Sequence, residues 1–363
     1  MTATLVGAEY GPAFAELRAE RKARVLAAME RDGVDALILG RSGNGKYVAG
    51  HRDLWRAVLG GFGPMVVLVR STGGIHLAAS TWDDGIPAEI PHENLTGLTW
   101  NPREAVSGLV RAEGLSDCNR IAADGMSPGI AGLLDMLAPG VELVDGEALM
   151  REVRRVKTPA EIEVMRTGIG IAEGCLAAAV ERIAPGVSER EVQAAFMDAM
   201  ASSYAVTIPA FAGIFRVAGD LPPLPGASGR VVSDGDSFVI SAAVMYAGYE
   251  AAVVRTWVPG QPAEEPAALT ELVAACRPGC LPSQLAAFAG DQPQPGPVVV
   301  GLGMGVEPPV AGGPADLTGF ANEPLEAGMV LGLQLWSGGV LSGCMVQVRD
   351  GEPVRLTPPR TAP

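Results

Sequence analysis

The stretch SFVISAAVMYAGYEAAVVRTW, residues 237–257, decides how the rest of the chain is read. Two apolar runs rich in β-branched residues flank a Gly-Tyr turn, and Arg255-Thr256-Trp257 closes the second run. That is the pattern of an antiparallel hairpin. Side chains two apart on a strand share a face, so Glu250 and Ala252 are expected together on one side of it. Glu250 is the one acid in the stretch.

Outward from the hairpin, the segments change character twice. Residues 14–33, FAELRAERKARVLAAMERDG, have the spacing of an amphipathic helix ended by Gly33. VDALILG, GPMVVLV, GIHLAAS and NRIAADG then read as strands, the last before a helix near GIAGLLDML. Alternation of this kind predicts an α/β domain. A boundary falls near residues 145–157, giving an expected division into residues 1–155 and 156–363. Beyond it, Thr158 and Glu161 form a capping box with Pro159 at the first helical position. Ile162, Met165, Ile169, Ala172 and Leu176 follow as one buried stripe. A second helix opens at Ser188 with Glu191 three residues on. ERIAPGVSEREVQAAF and AACRPGCLPSQLAAF repeat one plan, a helix end, Pro-Gly and a new helix start. LEAGMVLGLQLW and GCMVQVRDGEPVRLT alternate as antiparallel strands do.

The bulk numbers narrow the function classes. A chain of 363 residues, 48% hydrophobic, can bury a sizeable core in one large or two ordinary domains. Its 27 basic and 41 acidic side chains leave a formal charge of −14. Nucleic-acid and anionic-membrane binding need a basic face, so neither is expected. No apolar run approaches the roughly 18 to 20 residues of a spanning helix. MTATLVGAEYGPAF lacks the charged and apolar regions of a signal peptide. The five cysteines, at 118, 175, 276, 280 and 344, are scattered and odd in number. They read as free thiols, and the chain as cytoplasmic.

Six stretches, in order, resemble the prolidase, creatinase and aminopeptidase P family. They are KYVAGHRDLW, RRVKTPAEIEVMR, IAPGVSERE, DGDSFVISAAVMYAGYEAAVVRTW, GLGMGVEPP and LEAGMVLGLQ. The resemblance implies an N-terminal creatinase-like α/β domain followed by a C-terminal pita-bread domain, an α/β (α+β) chain overall. It also implies a homodimer acting on a small-molecule substrate.

Typical members hold two divalent metals with two aspartates, a histidine and two glutamates. Such ions need anionic oxygen and imidazole ligands, and the pair activates one water. Carried over by resemblance, these positions match Ser241, Ala252, Leu302, Gln334 and either Gly343 or Cys344. Ala252 and Leu302 cannot ligate, so no metal and no other cofactor is expected. The histidine with which creatinase works instead matches Gly226, and a further family histidine matches Val306. All three histidines, His51, His76 and His92, lie in the first 92 residues.

The remaining candidates each have two readings. His51 is an acid or base in the region that serves the neighbouring subunit in creatinase-like dimers, or a surface-loop histidine. Arg52 beside it would bind a carboxylate. Glu250 is a base with a raised pKa, or a rim carboxylate paired with Arg255. Glu307 lines the pocket or caps its loop. Asp220, Tyr246, Ser241 and Gln334 are candidate substrate contacts. Arg255 is read as structural. Cys344 as a nucleophile has no histidine near it in sequence. Replacing charged ligands by neutral residues removes the cost of burying unpaired charge.

The expectation from these residues is a metal-independent enzyme, not a metallopeptidase. It would carry out C–N hydrolysis, elimination or cyclisation on an amino-acid-like or amide-like molecule, with His51, Glu250 and Glu307 as catalytic residues. The alternative is an inactive pseudo-peptidase kept for binding or scaffolding.

Overall fold

The Thr158 hydroxyl accepts from the Glu161 amide at 3.3 Å, and the Glu161 carboxylate accepts from the Thr158 amide at 2.8 Å. Ser188 and Glu191 make the same reciprocal pair. Both capping boxes read from the sequence therefore start helices, because each satisfies two amides that a helix N-terminus leaves open. The structure, a computed structural model, describes residues 12–51, 66–79, 85–97, 99, 101–203, 213–219, 221–259, 261–262, 265–319 and 322–358. The chain divides into two compact units, Met1–Arg154 and Arg155–Pro363.

The N-terminal unit runs α1 (Ala15–Arg31), β1 (Ala36–Leu39), α2 (Ser42–Ala49), β2 (Val66–Val69), β3 (Ile75–Ala79), β4 (Leu95–Gly97), α3 (Pro102–Leu109), β5 (Arg120–Asp124), α4 (Pro128–Leu137), β6 (Glu142–Asp145) and α5 (Gly146–Arg155). Among the described residues the strands form one mixed sheet, in the order β4-β3-β2-β1-β5-β6. β1 pairs parallel with β5 and antiparallel with β2. Ala36, Ile38, Val67, Val69 and Ile121 point from this sheet to Val106 and Leu109 of α3 and to Ile130 and Leu134 of α4. Strand alternation has sorted one face of the sheet under two helices.

The C-terminal unit opens with α6 (Pro159–Glu181) and α7 (Glu189–Ser202). Then come β7 (Ile214–Val217), β8 (Phe238–Tyr246), β9 (Tyr249–Val258), β10 (Gln261–Pro262), α8 (Ala267–Ala275), α9 (Pro282–Ala286), β11 (Val299–Gly303), β12 (Gly305–Ala311), β13 (Val330–Ser337), β14 (Val340–Gln347) and β15 (Val354–Arg355). Among the described residues these strands make two antiparallel sheets, β10-β9-β8-β7 and β12-β11-β13-β14-β15. The first packs on α6. The second packs on α8 and α9 through Leu269, Leu272 and Leu285 against Leu331, Leu333 and Leu335. The weak sequence repeat thus has a structural counterpart. Pro-Gly links α6 to α7 and α8 to α9, with Gly186 at φ +89° and Gly279 at φ +87°. Only glycine takes that backbone conformation without strain.

β8 and β9 form the hairpin of the opening stretch, paired from Phe238↔Trp257 to Tyr246↔Tyr249. Its two-residue turn puts Ala247 at φ 48° and Gly248 at φ 85°, a type I′ geometry that matches the twist of the strands. The Tyr249 hydroxyl donates to the Glu161 carboxylate at 2.6 Å, so the α6 capping residue also pins the hairpin tip.

Side chains, rather than a ladder, join β9 to β14. Thr256 Oγ1 donates to the Leu341 carbonyl and accepts from the Leu341 amide, both at 2.9 Å. Arg255 donates to the Gly343 carbonyl at 3.1 Å and to Glu173 of α6 at 2.9 Å. The Ala252 amide points at Met345 Sδ, 3.2 Å away. Apart from the Arg255–Glu173 pair, each bond satisfies a buried main-chain group that the ladders leave open.

Candidate active site

Register assigns the faces. Ser241↔Val254, Ala243↔Ala252 and Met245↔Glu250 are opposite pairs, so these six side chains share one face of the first sheet. The other face belongs to α6: a Cβ built on Gly168 would lie 3.1 Å from Ala251 Cβ and 3.4 Å from Tyr246 Cβ. On β13, Leu331, Leu333 and Leu335 turn to the helices, which leaves Gly332, Gln334 and Trp336 on the opposite face. Trp336 and Leu341 pack with Ile214, Val239 and Val254. The two sheet faces therefore look at one another, with Ser241, Glu250 and Gln334 on them.

Ser241, Glu250 and Gln334 are brought to these facing surfaces, and all three are buried, Glu250 completely. Glu250 shares the Ala252 face, and Arg255 pairs with Glu173 instead of with Glu250. Gln334 Oε1 is buried with no hydrogen-bond partner among the described residues. Tyr246 lies on the α6 side, away from Ser241 and Glu250. Glu307, on β12, is ion-paired with Lys157, which also donates to the Arg155 carbonyl at 3.2 Å. His51 follows α2 in the N-terminal unit and is buried rather than exposed in a loop. Arg52 and Asp220 lie outside the described residues.

Sequence reasoning missed Glu189. This buried carboxylate accepts from the Val217 amide at 2.9 Å, the Ser228 amide at 2.8 Å, the Ser228 hydroxyl at 2.6 Å and Arg216 at 3.1 Å. Burial alone would raise its pKa. The bonds from Ser228 and Val217 and the Arg216 charge outweigh it and hold the group below its ordinary value. No local pattern marks such a residue, because its partners lie 27 to 39 positions away.

The dinuclear metal site implied by the resemblance does not match these residues. Leu302 fills the space in front of Gly332, where a Cβ would come within 2.8 Å of Leu302 Cδ1. Gly343 is the residue that shares the Gln334 face, and Cys344 turns to the helix-side core. A Cβ on Gly343 would overlap the Leu333 carbonyl oxygen and sit 3.0 Å from Val254 Cβ, so no carboxylate fits at that position. Among the described residues no group of three or more His, Cys, Asp or Glu is placed to hold a metal ion. The described side chains between the sheets do not fit a dinuclear set.

Two measurable consequences arise. Gly343→Ala should destabilise the protein by about 2 to 3 kcal/mol, read from urea denaturation midpoints, because the added methyl overpacks a backbone contact. Cys344 is pushed up to about 12, by burial first and by the nearby Glu265 charge, and Cys175 up to about 11 by burial. These thiols should react with Ellman's reagent at pH 8 only on unfolding, whereas the half-buried Cys280 should react in the native protein.

Comparison with known proteins gives the frame. Residues 21–156 match the creatinase/prolidase N-terminal domain, and residues 163–351 match metallopeptidase family M24. A segment of 127 residues is 33% identical to an Xaa-Pro dipeptidase of Pyrococcus furiosus. That segment is 34% of this chain and 36% of the relative, so the match spans about a third of the curated relative's length. The prolidase structure from Pyrococcus horikoshii OT3 superposes with a TM-score of 0.71 at 20% identity, over 94% of this chain and 99% of that one. An X-Pro aminopeptidase from Thermotoga maritima MSB8 gives 0.73 at 17% identity, over 93% of this chain and 98% of that one. The fold is thus the expected creatinase-like α/β domain followed by a pita-bread domain.

The functional expectations do not survive the comparison. A metal-independent enzyme that is not a metallopeptidase, and its inactive-scaffold alternative, rest on five ligand positions. The family match extends over residues 163–351, far beyond those positions, and the relatives that match are named Xaa-Pro dipeptidases. Since that match covers more than half of its length, the chain belongs to metallopeptidase family M24.

Proposed function

We propose that the protein is a peptidase acting on short Xaa-Pro peptides. The scissile amide would be held between the facing surfaces of the C-terminal domain, residues 156–363, with residues 1–155 as the N-terminal domain. The observation that carries this reading is the family match over residues 163–351. In support, Xaa-Pro dipeptidases are the curated relatives that match in sequence.

Hydrolysis needs a base for the attacking water and a proton for the departing nitrogen. Glu250 is assigned both roles: it takes a proton from water as the C–O bond forms and returns it to the proline nitrogen as the C–N bond breaks. Ser241 and Gln334 are assigned hydrogen bonds to the peptide. Tyr246 and Glu307 support the walls, through α6 and through Lys157. Arg52 and Asp220 are assigned to the charged ends of the substrate, and His51 to proton transfer. A cytoplasmic homodimer belongs to the same proposal, since it would let His51 and Arg52 serve a second subunit.

The test is proline release from Ala-Pro and Met-Pro by the purified full chain, run with and without added Mn²⁺, Co²⁺ or Zn²⁺. Pro-Ala and Ala-Ala serve as controls. Release confined to the Xaa-Pro peptides is expected. No release in any arm overturns the proposal.

A further inference from the structure

The N-terminal unit contains a cavity of about 410 Å³ that the peptidase reading does not use. That volume falls in the range of small-molecule sites, about 300 to 1,000 Å³. α1 supplies one wall with Ala15, Arg18, Ala19 and Lys22, which lie on a single helical stripe. Five of its twelve lining residues, three alanines and two glycines, carry little beyond Cβ and leave the space open. Larger side chains at Ala15, Ala19 or Ala49 would occupy it, and Gly73 and Gly74 form the far side.

The charges in the lining are unequal. Arg18 is 4% exposed and lies across Gly50, where any Cβ would collide with its side chain. Both its Nε and its Nη2 donate to Glu89, the second at 3.1 Å, and the Glu89 carboxylate also feels the charge of Lys22. Lys22 makes no ion pair among the described residues, and its Nζ lies 3.7 Å from a Cβ built on Gly73. The lining therefore keeps one net positive charge on a chain of −14. Few other donors are open. The Gly73 amide bonds to the Val69 carbonyl, the Gly74 amide to Thr72 Oγ1, and Asn94 Nδ2 to the Ile75 carbonyl. A phosphate, with more charge and more acceptor oxygens, would find too few partners there.

We propose that this cavity binds a small monocarboxylate with a compact apolar body. The carboxylate pairs with Lys22, and the body rests on Ala15, Ala19, Val48, Ala49, Ile75 and Pro91. One ammonium in an apolar cleft selects one negative charge, and the small-residue walls select a short branched chain over a flat ring system.

The test uses the full-length protein and isovalerate as probe, with isovaleramide as a neutral probe of the same shape. Binding is read by calorimetry and by the ¹H–¹⁵N shifts of Gly73 and Gly74. Saturable isovalerate binding that moves both glycine amides is expected. It should weaken by about tenfold or more for isovaleramide and for Lys22→Gln, and vanish in Ala19→Leu, which fills the space. The same spectra report whether each variant is folded. Equal binding of the two probes, binding unchanged in Lys22→Gln, or unmoved glycine amides would overturn the proposal. Lys22→Gln should release proline at the parent rate, so failure of this site and failure of the peptidase reading are seen separately.

Discussion

Glu250→Gln should lower proline release from Xaa-Pro peptides by about 100-fold or more while leaving the denaturation midpoint close to that of the parent. The substitution keeps the shape and one acceptor oxygen and removes only the ability to take a proton. Glu250 is fully buried on the face that also carries Ser241 and Ala252, so the carboxylate cannot be replaced from solution. A purely structural Glu250 would give the reverse result, a shifted midpoint and turnover reduced only in proportion to the folded fraction. Glu250→Asp separates the two further: it keeps the base but withdraws it by one methylene, so turnover should fall between those of Gln and Glu.

The second large effect concerns stability. Glu189→Leu should cost about 3 to 5 kcal/mol, because it strands the Val217 and Ser228 amides and leaves Arg216 without its partner. The loss should depend on pH in a definite direction. The folded-state pKa of Glu189 is lowered, so its contribution is complete above the ordinary carboxylate pKa and is lost as the pH falls through the folded value. Parent and variant should therefore differ most near neutrality and converge in acid. Urea denaturation of both proteins at pH 7 and at successively lower pH checks the size and the sign together. A gap that is constant across pH would mean that Glu189 acts through packing alone.

What was legible in the sequence is what depends on near neighbours. The capping boxes at Thr158 and Ser188 involve residues three apart, and both form. The shared face of Glu250 and Ala252 follows from a period of two, and the pairing agrees. The choice between Gly343 and Cys344 was not legible, because a slip of one residue exchanges the faces of a strand. Pairing with Gln334 decides it. The same alternation puts Tyr246 on the α6 side, which its closeness to Glu250 in sequence concealed.

Contacts over long separations left no local mark. Lys157 meets Glu307 across 150 positions, and Thr256 meets Leu341 across 85. The cavity beside Lys22 is invisible for a related reason. Alanines on a helix stripe read as ordinary helix formers until the elements across from them fail to fill the space. The peptidase reading was not legible at the five ligand positions, because it rests on a family match that extends over residues 163–351.

The joint between β9 and β14 has a consequence for how such a fold can diversify. A ladder fixes the distance between two strands through the backbone, whatever the sequence. Here one hydroxyl, one guanidinium and one thioether set it instead. A change at Thr256, Arg255 or Met345 therefore acts on the join between the sheets and leaves the pairing within each ladder untouched. The two sheets are thus coupled at a few side chains, as jaws are by a screw, and each keeps its own pairing independently of that coupling.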